Sequence, residues 1–319
     1  MTKGNGNGRR RSTDLAHRFE GNPIITVEDM PFRCADICNA AAVKLDDNSI
    51  LLLLTVESLR GRKKLYRALS QDGIRFEIDA EPFLDVSEED PYAEHEAFGL
   101  LDPKITLFED RYYITYTAFG KHGFRMALAE TADFKSVERK GFISEPDTKG
   151  GLLFPEKIGG RYAKLEMPEN GQRLWISYSD DLVYWGGYDE VMSPRPGYWD
   201  FHKIGPAAPP MRVGNGEWML IYYGVKNTSA GSIARLGAAF LDPENPAEVT
   251  ARTNIPILSP RELYERVGDI GNVVFACGAV MEGNGKLAIY YGAARACICL
   301  ATVMIDEIRE NCAASEREF

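Results

Sequence analysis

A unit made of an apolar or aromatic strand, a loop and a second strand that stops at an aspartate recurs five times along this chain, and the repeat restricts the fold more than any single motif. The first strands are residues 50–56, 111–116, 161–165, 218–223 and 286–291. Their partners, residues 65–70, 125–131, 174–179, 235–241 and 297–305, stop near Asp72, Asp133, Asp181, Asp242 and Asp306. These aspartates are spaced 61, 48, 61 and 64 residues apart, with no long helical stretch between them. Strand-only repeats near this period are the signature of a β-propeller. One four-stranded sheet cannot bury both faces alone, so neighbouring sheets stack radially and leave only short edges exposed. The expected fold is all-β, a five-bladed propeller with a central axial pocket on which polar groups of every inner strand converge.

Composition fits one large domain: of 319 residues, 45% are hydrophobic and 26% charged. Residues 13–319 are expected to form the single propeller domain, and residues 1–12, with Gly4-Asn5-Gly6-Asn7-Gly8 ahead of Arg9-Arg10-Arg11, a disordered tail. That basic stretch is not followed by an apolar segment, and the apolar run at residues 50–54 is too short to span a bilayer, so a cytoplasmic location is expected. A net charge of −10 opposes nonspecific attraction to nucleic acid or an anionic membrane. The six cysteines lack C-x-x-C spacing and fall mostly in apolar strands, which favours buried thiols over disulfides or a metal site. With four histidines and no H-E-x-x-H, neither zinc chemistry nor a Ser-His-Asp relay has much to work with. Proton transfer falls to carboxylates, and no cofactor or metal is expected.

Three stretches carry candidate chemistry. In Leu101-Asp102-Pro103-Lys104 the proline is expected to hold Asp102 extended and so fix the direction of its carboxylate, although an Asp-Pro pair also reads as a plain turn. Lys149 opens Lys149-Gly150-Gly151-Leu152, where small residues permit close backbone approach; it reads equally as a ligand to a hydroxyl or anion and as a solvated lysine at the start of a strand. Tyr198-Trp199-Asp200-Phe201-His202-Lys203 joins aromatics, a carboxylate and a lysine, a set that suits a sugar and also suits an ordered connection.

In chain order, Asn39-Ala40-Ala41-Ala42-Val43, Ser70-Gln71-Asp72-Gly73, Leu101-Asp102-Pro103-Lys104-Ile105, Leu153-Phe154-Pro155-Glu156-Lys157, Lys203-Ile204-Gly205, Pro209-Pro210, Asn272-Val273-Val274-Phe275 and Tyr290-Tyr291-Gly292-Ala293-Ala294 make a specific set. It resembles glycoside hydrolase family 130, the mannoside phosphorylases and β-mannosidases, over residues 19–308. The resemblance implies a five-bladed propeller and makes Asp102 the general acid, passing its proton to the glycosidic oxygen through a hydroxyl of the bound sugar, with inversion at the anomeric carbon. It also implies an oligosaccharide partner, with inorganic phosphate as co-substrate in phosphorolytic members and homo-oligomers left open; the residues expected to contact the sugar are Asn39, Lys104, Lys149, Asp200, Lys203, Tyr223, Asn272 and Arg295.

The chain departs from that pattern where phosphorolytic members carry cations: Thr55 stands for an arginine, Ala68-Leu69-Ser70 for Ala-Arg-Ser, Glu166-Met167-Pro168 for His-Arg-Pro, and Tyr222-Tyr223-Gly224 for Tyr-His-Gly. Charge-assisted hydrogen bonds to an anion are worth roughly 1.5–3 kcal/mol each, so losing several should leave phosphate weakly held. The expected reaction is therefore an inverting hydrolysis with Asp102 as acid and Glu166 or Glu57 as base, their carboxyls about 6.5–9.5 Å apart. On the alternative reading Glu57 binds an arginine such as Arg67 and Glu166 faces solvent. Arg295 replaces a family aspartate that binds sugar; it grips an acidic sugar, or pairs with an acid such as Glu166 or Asp269. Two other classes stay open: a phosphorylase whose anion site is rebuilt from Lys149, Lys203 and Arg295, and a non-catalytic sugar-binding propeller.

Overall fold

The computed structural model describes residues 14–168 and 172–315; the tail expected at residues 1–12 lies outside them. Strands make up most of the regular secondary structure described, arranged as five antiparallel units in chain order. Unit one is Asp36–Lys44, Ile50–Glu57, Lys63–Ser70 and Glu77–Ile78, and unit two is Gly99–Phe108, Arg111–Gly120, Gly123–Thr131 and Glu138–Phe142. Unit three is Lys149–Leu153, Tyr162–Met167, Leu174–Ser179 and Gly186–Met192; unit four is Lys203–Pro206, Glu217–Thr228, Gly231–Leu241 and Val249–Arg252. Unit five is Val274–Met281, Lys286–Ala293 and Cys297–Met304, and its outer position is filled from the other end of the chain by His17–Arg18 and Ile25–Thr26. A parallel Lys63–Gly99 bridge joins units one and two into one eight-stranded sheet.

The first strand of unit one packs against the first strands of units two and five, that of unit two against unit three's, and that of unit three against unit four's. Unit four meets unit five through Gly231–Leu241 and the Ala234–Val273 bridge. Sheets covered on both faces need continuous apolar runs rather than alternation, and Leu51, Leu52, Leu53 and Leu54 are all buried. Units five and one approach closely enough to demand glycine: a Cβ on Gly278 would sit 2.1 Å from the Ala42 nitrogen, and one on Gly292 would sit 2.1 Å from the Cys38 carbonyl oxygen.

The recurring aspartates have a local cause. Oδ1 of Asp72 accepts the backbone N–H of Ile74 and Arg75, that of Asp181 accepts Val183 and Tyr184, that of Asp242 accepts Glu244 and Asn245, and that of Asp133 accepts Lys135. Each caps the turn after its strand, and these bonds hold all four carboxyls below their ordinary range. Asp306 differs: it lies in the first turn of a helix, Ile305–Ser315, where a negative charge complements the macrodipole.

A second repeat lies inside the sheets. In units two, four and five a buried carboxylate on the connection before the first strand accepts a tyrosine hydroxyl from the second strand and an arginine from the outermost one. Glu96 takes Tyr116 at 2.7 Å and Arg139 at 2.8 Å; Asp200 takes Tyr222 at 2.9 Å and Arg252 at 2.7 Å; Glu265 takes Tyr291 at 2.9 Å and Arg18 at 2.8 Å. A buried charge must be paired and hydrogen-bonded, and these struts tie each connection to both sides of its sheet.

Candidate active site

All five units contribute to one cavity of about 510 Å³. Its floor comes from the first strands, which supply Asn39, Asp102, Lys149, Lys203 and Phe275. Four of those five strands carry one extra residue at this level, between Ile37 and Asn39, Leu101 and Lys104, Lys149 and Leu152, and Ala276 and Gly278. A bulge re-aims side chains that regular pleating would direct along the sheet, so the bulges build the site.

Asp102 sits on one of them. Its φ is +51°, in the left-handed region, which corrects the extended conformation expected from Pro103. The strained position is braced from below: Lys104, fully buried, donates from Nζ to the Asp102 carbonyl at 3.3 Å and to Cys277 Sγ at 3.3 Å. Lys104 is absent from the cavity wall and acts through the backbone of Asp102 rather than on a ligand. Asn39 donates from Nδ2 to Asp102 Oδ1 at 2.6 Å, fixing the carboxylate, while its own buried Oδ1 is left without a partner.

Beside the acid are two amines. Lys203 and Lys149 line the same cavity as Asp102, and the charges of both Lys149 and Asp102 act on Lys203. Burial first, then the charge of Lys149, lower Lys203 to about 8 against the pull of Asp102. Among the described residues neither lysine forms an ion pair. Lys149 lies 4.5 Å from the Phe124 ring centroid. Tyr223 lines the wall, its hydroxyl 3.4 Å from Met167 Sδ, and burial holds that hydroxyl protonated well beyond its ordinary range.

On the opposite side, Lys63 and Arg295 line the cavity but are neutralised from behind. Lys63 Nζ is 2.6 Å from Glu57 Oε2, and Arg295 is 3.3 Å from Glu57 and 3.0 Å from Asp269. Arg295 therefore pairs with local acids, Asp269 included as anticipated. Glu57 is tied to both cations and is not on the wall, and Arg67 turns instead to Asp79 at 2.7 Å.

Glu166 is a correction. Thr117, Met167, Tyr223 and Gly292 line the cavity from the second strands, so the residue before each points the other way by strand alternation. Those residues are Tyr116, Glu166, Tyr222 and Tyr291, and in unit three the strut position is filled by Glu166, which is 2% exposed, ion-paired with Lys164 and bonded by Ser177 Oγ at 3.0 Å. It neither reaches the cavity nor faces solvent. Asp200 is likewise a strut carboxylate, held by Arg195, Arg252 and Tyr222. Asn272 is a turn residue at φ +61° whose carbonyl accepts Ala234 N–H at 3.1 Å, outside the wall. Of the eleven side chains singled out from sequence, Asn39, Asp102, Lys149, Lys203, Tyr223 and Arg295 meet in the cavity. Sequence reasoning missed Lys63, Phe119 and Phe124, which stand at strand ends without a local motif; the in-phase spacing of Thr117 and Phe119 was the available signal.

No helix among the described residues is long and apolar enough to cross a membrane, and all six cysteines are free thiols, five of them buried. The family model described as beta-1,4-mannooligosaccharide phosphorylase matches residues 8–314. The chain is 36% identical over 245 residues to a beta-1,2-mannobiose phosphorylase of Listeria innocua, covering 76% of this chain and 66% of that protein, just under two thirds of its length. It is 30% identical to a beta-1,4-mannooligosaccharide phosphorylase of Ruminococcus albus, covering 92% and 90%. The solved structure of a beta-1,2-mannobiose phosphorylase from Listeria innocua in complex with beta-1,2-mannobiose superposes with a TM-score of 0.85 at 29% identity, covering 94% of this chain and 99% of that one. The expectation that hydrolysis is the main reaction finds no support in these phosphorylases, and the alternative fits them better.

Proposed function

Because the chain belongs to glycoside hydrolase family 130, the family of mannoside phosphorylases, we propose that it cleaves a β-mannoside by inverting attack of inorganic phosphate. The observation that carries this reading is the Lys149–Lys203 pair. Both line the cavity beside Asp102 and neither forms an ion pair among the described residues; like charges there repel each other, and a phosphate between them turns that repulsion into two charge-assisted hydrogen bonds. Arg295, the third cation expected in a rebuilt anion site, is already compensated by Glu57 and Asp269, which leaves the two lysines as the anion holders.

The reading takes the five antiparallel units as blades around an axis, with the cavity on that axis. A phosphate oxygen attacks the anomeric carbon, the bond from that carbon to the bridging oxygen breaks, and the departing oxygen takes the proton of Asp102 relayed by a sugar hydroxyl. The products are α-mannose 1-phosphate and the shortened sugar. Asn39 orients Asp102, and Lys104 holds its backbone. Both carboxylates expected to act as base in a hydrolytic mode are withdrawn from the cavity wall, Glu166 being buried inside its sheet and Glu57 bound to two cations. A β-1,2 linkage is the first to test, because the beta-1,2-mannobiose phosphorylase is 36% identical over 245 residues and the beta-1,4-mannooligosaccharide phosphorylase 30% over 306. The experiment is a phosphate titration of β-1,2- and β-1,4-mannobiose cleavage: release proportional to bound phosphate supports the reading, and full-rate release in phosphate-free buffer overturns it.

A further inference from the structure

The wall of unit two carries an aromatic cluster beside the acid and the two lysines. Phe119 and Phe124 lie on opposite sides of the hairpin joining Arg111–Gly120 to Gly123–Thr131, and both line the cavity. Their rings stack, with centroids 4.7 Å apart and planes inclined by 19°. Phe98 meets Phe119 edge-on at 5.2 Å and is 47% exposed, extending the aromatic surface outward. The other neighbour of Phe124 is the ammonium of Lys149.

The position follows from strand register. Thr117 pairs across from Leu101, next to Asp102, and Phe119 pairs across from Gly99, two residues farther along the same face. A side chain in phase with Thr117 and one step closer to the hairpin tip stands beside the acid on the same wall, within reach of a sugar whose bridging oxygen Asp102 protonates. Flat apolar rings suit the C–H faces of a pyranose, whereas hydroxyl recognition is already supplied by Asn39 and the charged wall.

We propose that Phe119, backed by Phe124 and Phe98, is the platform on which the leaving sugar stacks, and that Phe124 also steadies Lys149, so that one aromatic stack positions both the acceptor and the phosphate. The proposal rests on the phosphorylase reading for the identity of the two partners, but the platform itself is testable without turnover. Saturation-transfer NMR with β-1,2-mannobiose and with mannose as probes, in phosphate-free buffer, is expected to show ring-face contacts that disappear in Phe119→Ala and return in Phe119→Tyr.

Kinetics divide the roles. Phe119→Ala is expected to raise KM for mannose in the synthetic direction by about 2- to 10-fold, the equivalent of one aromatic stacking contact, and to leave the phosphate KM of the forward reaction unchanged. Phe124→Ala is expected to raise both. An unchanged mannose KM in Phe119→Ala, in a protein whose melting temperature equals that of the parent, overturns the platform. So do ring-face contacts of the leaving sugar that persist at full intensity in its saturation-transfer spectrum. A parent protein that binds the sugars through Phe119 but ignores phosphate leaves the platform standing and removes the phosphorylase reading instead.

Discussion

Replacing Lys203 by methionine keeps the bulk of the side chain and deletes one of the two charges assigned to phosphate. A charge-assisted hydrogen bond of this kind contributes about 1.5–3 kcal/mol, so the phosphate KM of Lys203→Met should rise about 10- to 150-fold, with little change in the affinity for sugar. The pH dependence makes the argument sharper. Burial, followed by the charge of Lys149, lowers Lys203 to about 8. A lysine is charged below its pKa, so the Lys203 cation is present at neutral pH and is lost as the pH rises through about 8. Above that point the parent's phosphate KM should climb about tenfold per pH unit. Lys149→Met weakens phosphate binding too, but it also removes one of the two main causes of the depression, so its alkaline rise should begin at higher pH. In Lys203→Met the rise near pH 8 should vanish. Initial rates at varied phosphate across pH 6–10, an estimated window spanning the shifted and ordinary lysine ranges, measure all three. A phosphate KM in Lys203→Met equal to the parent's, or an alkaline limb in Lys149→Met that does not move, refutes the assignment.

Asp102→Asn should lower kcat by about 10²–10⁴, the usual contribution of a positioned general acid, with an unchanged melting temperature. Glu166→Ala should cost about 3–5 kcal/mol of stability in denaturant titration because it strands the buried Lys164 charge, while kcat of the folded enzyme is retained; a loss of turnover without a loss of stability would return Glu166 to the chemistry. Tyr222→Phe and Tyr291→Phe should each cost about 1.5–3 kcal/mol through their hydrogen bonds to Asp200 and Glu265, and neither should alter a KM, as checked by thermal melts beside steady-state kinetics.

The turn aspartates were legible in the sequence because a capping carboxylate acts over two or three residues, and Asp72, Asp133, Asp181 and Asp242 all do what their spacing suggests. The strands before them were legible for the same reason: apolar and aromatic runs between turn signals. The contribution of His17–Arg18 and Ile25–Thr26 to unit five was not, since two-residue strands have no periodicity to read. Asp102, Lys149 and Lys203 were found from local motifs on first strands. The errors came from phase. Whether Glu166 or Met167 faces the cavity is a matter of one step along a regularly paired strand, and because both residues are buried, neither hydrophobicity nor turn signals tell the two faces apart. Asp200 was misassigned because an acid beside aromatics looks the same in sequence whether it holds a sugar or an arginine; Arg252, its partner, lies 52 residues away.

The most direct test of the central claim is ³¹P NMR of the protein with β-1,2-mannobiose and inorganic phosphate. The expected spectrum shows the phosphate resonance falling as an α-configured sugar 1-phosphate grows in equal amount, one per free mannose released. Two free mannose molecules per disaccharide with the phosphate resonance untouched would contradict it.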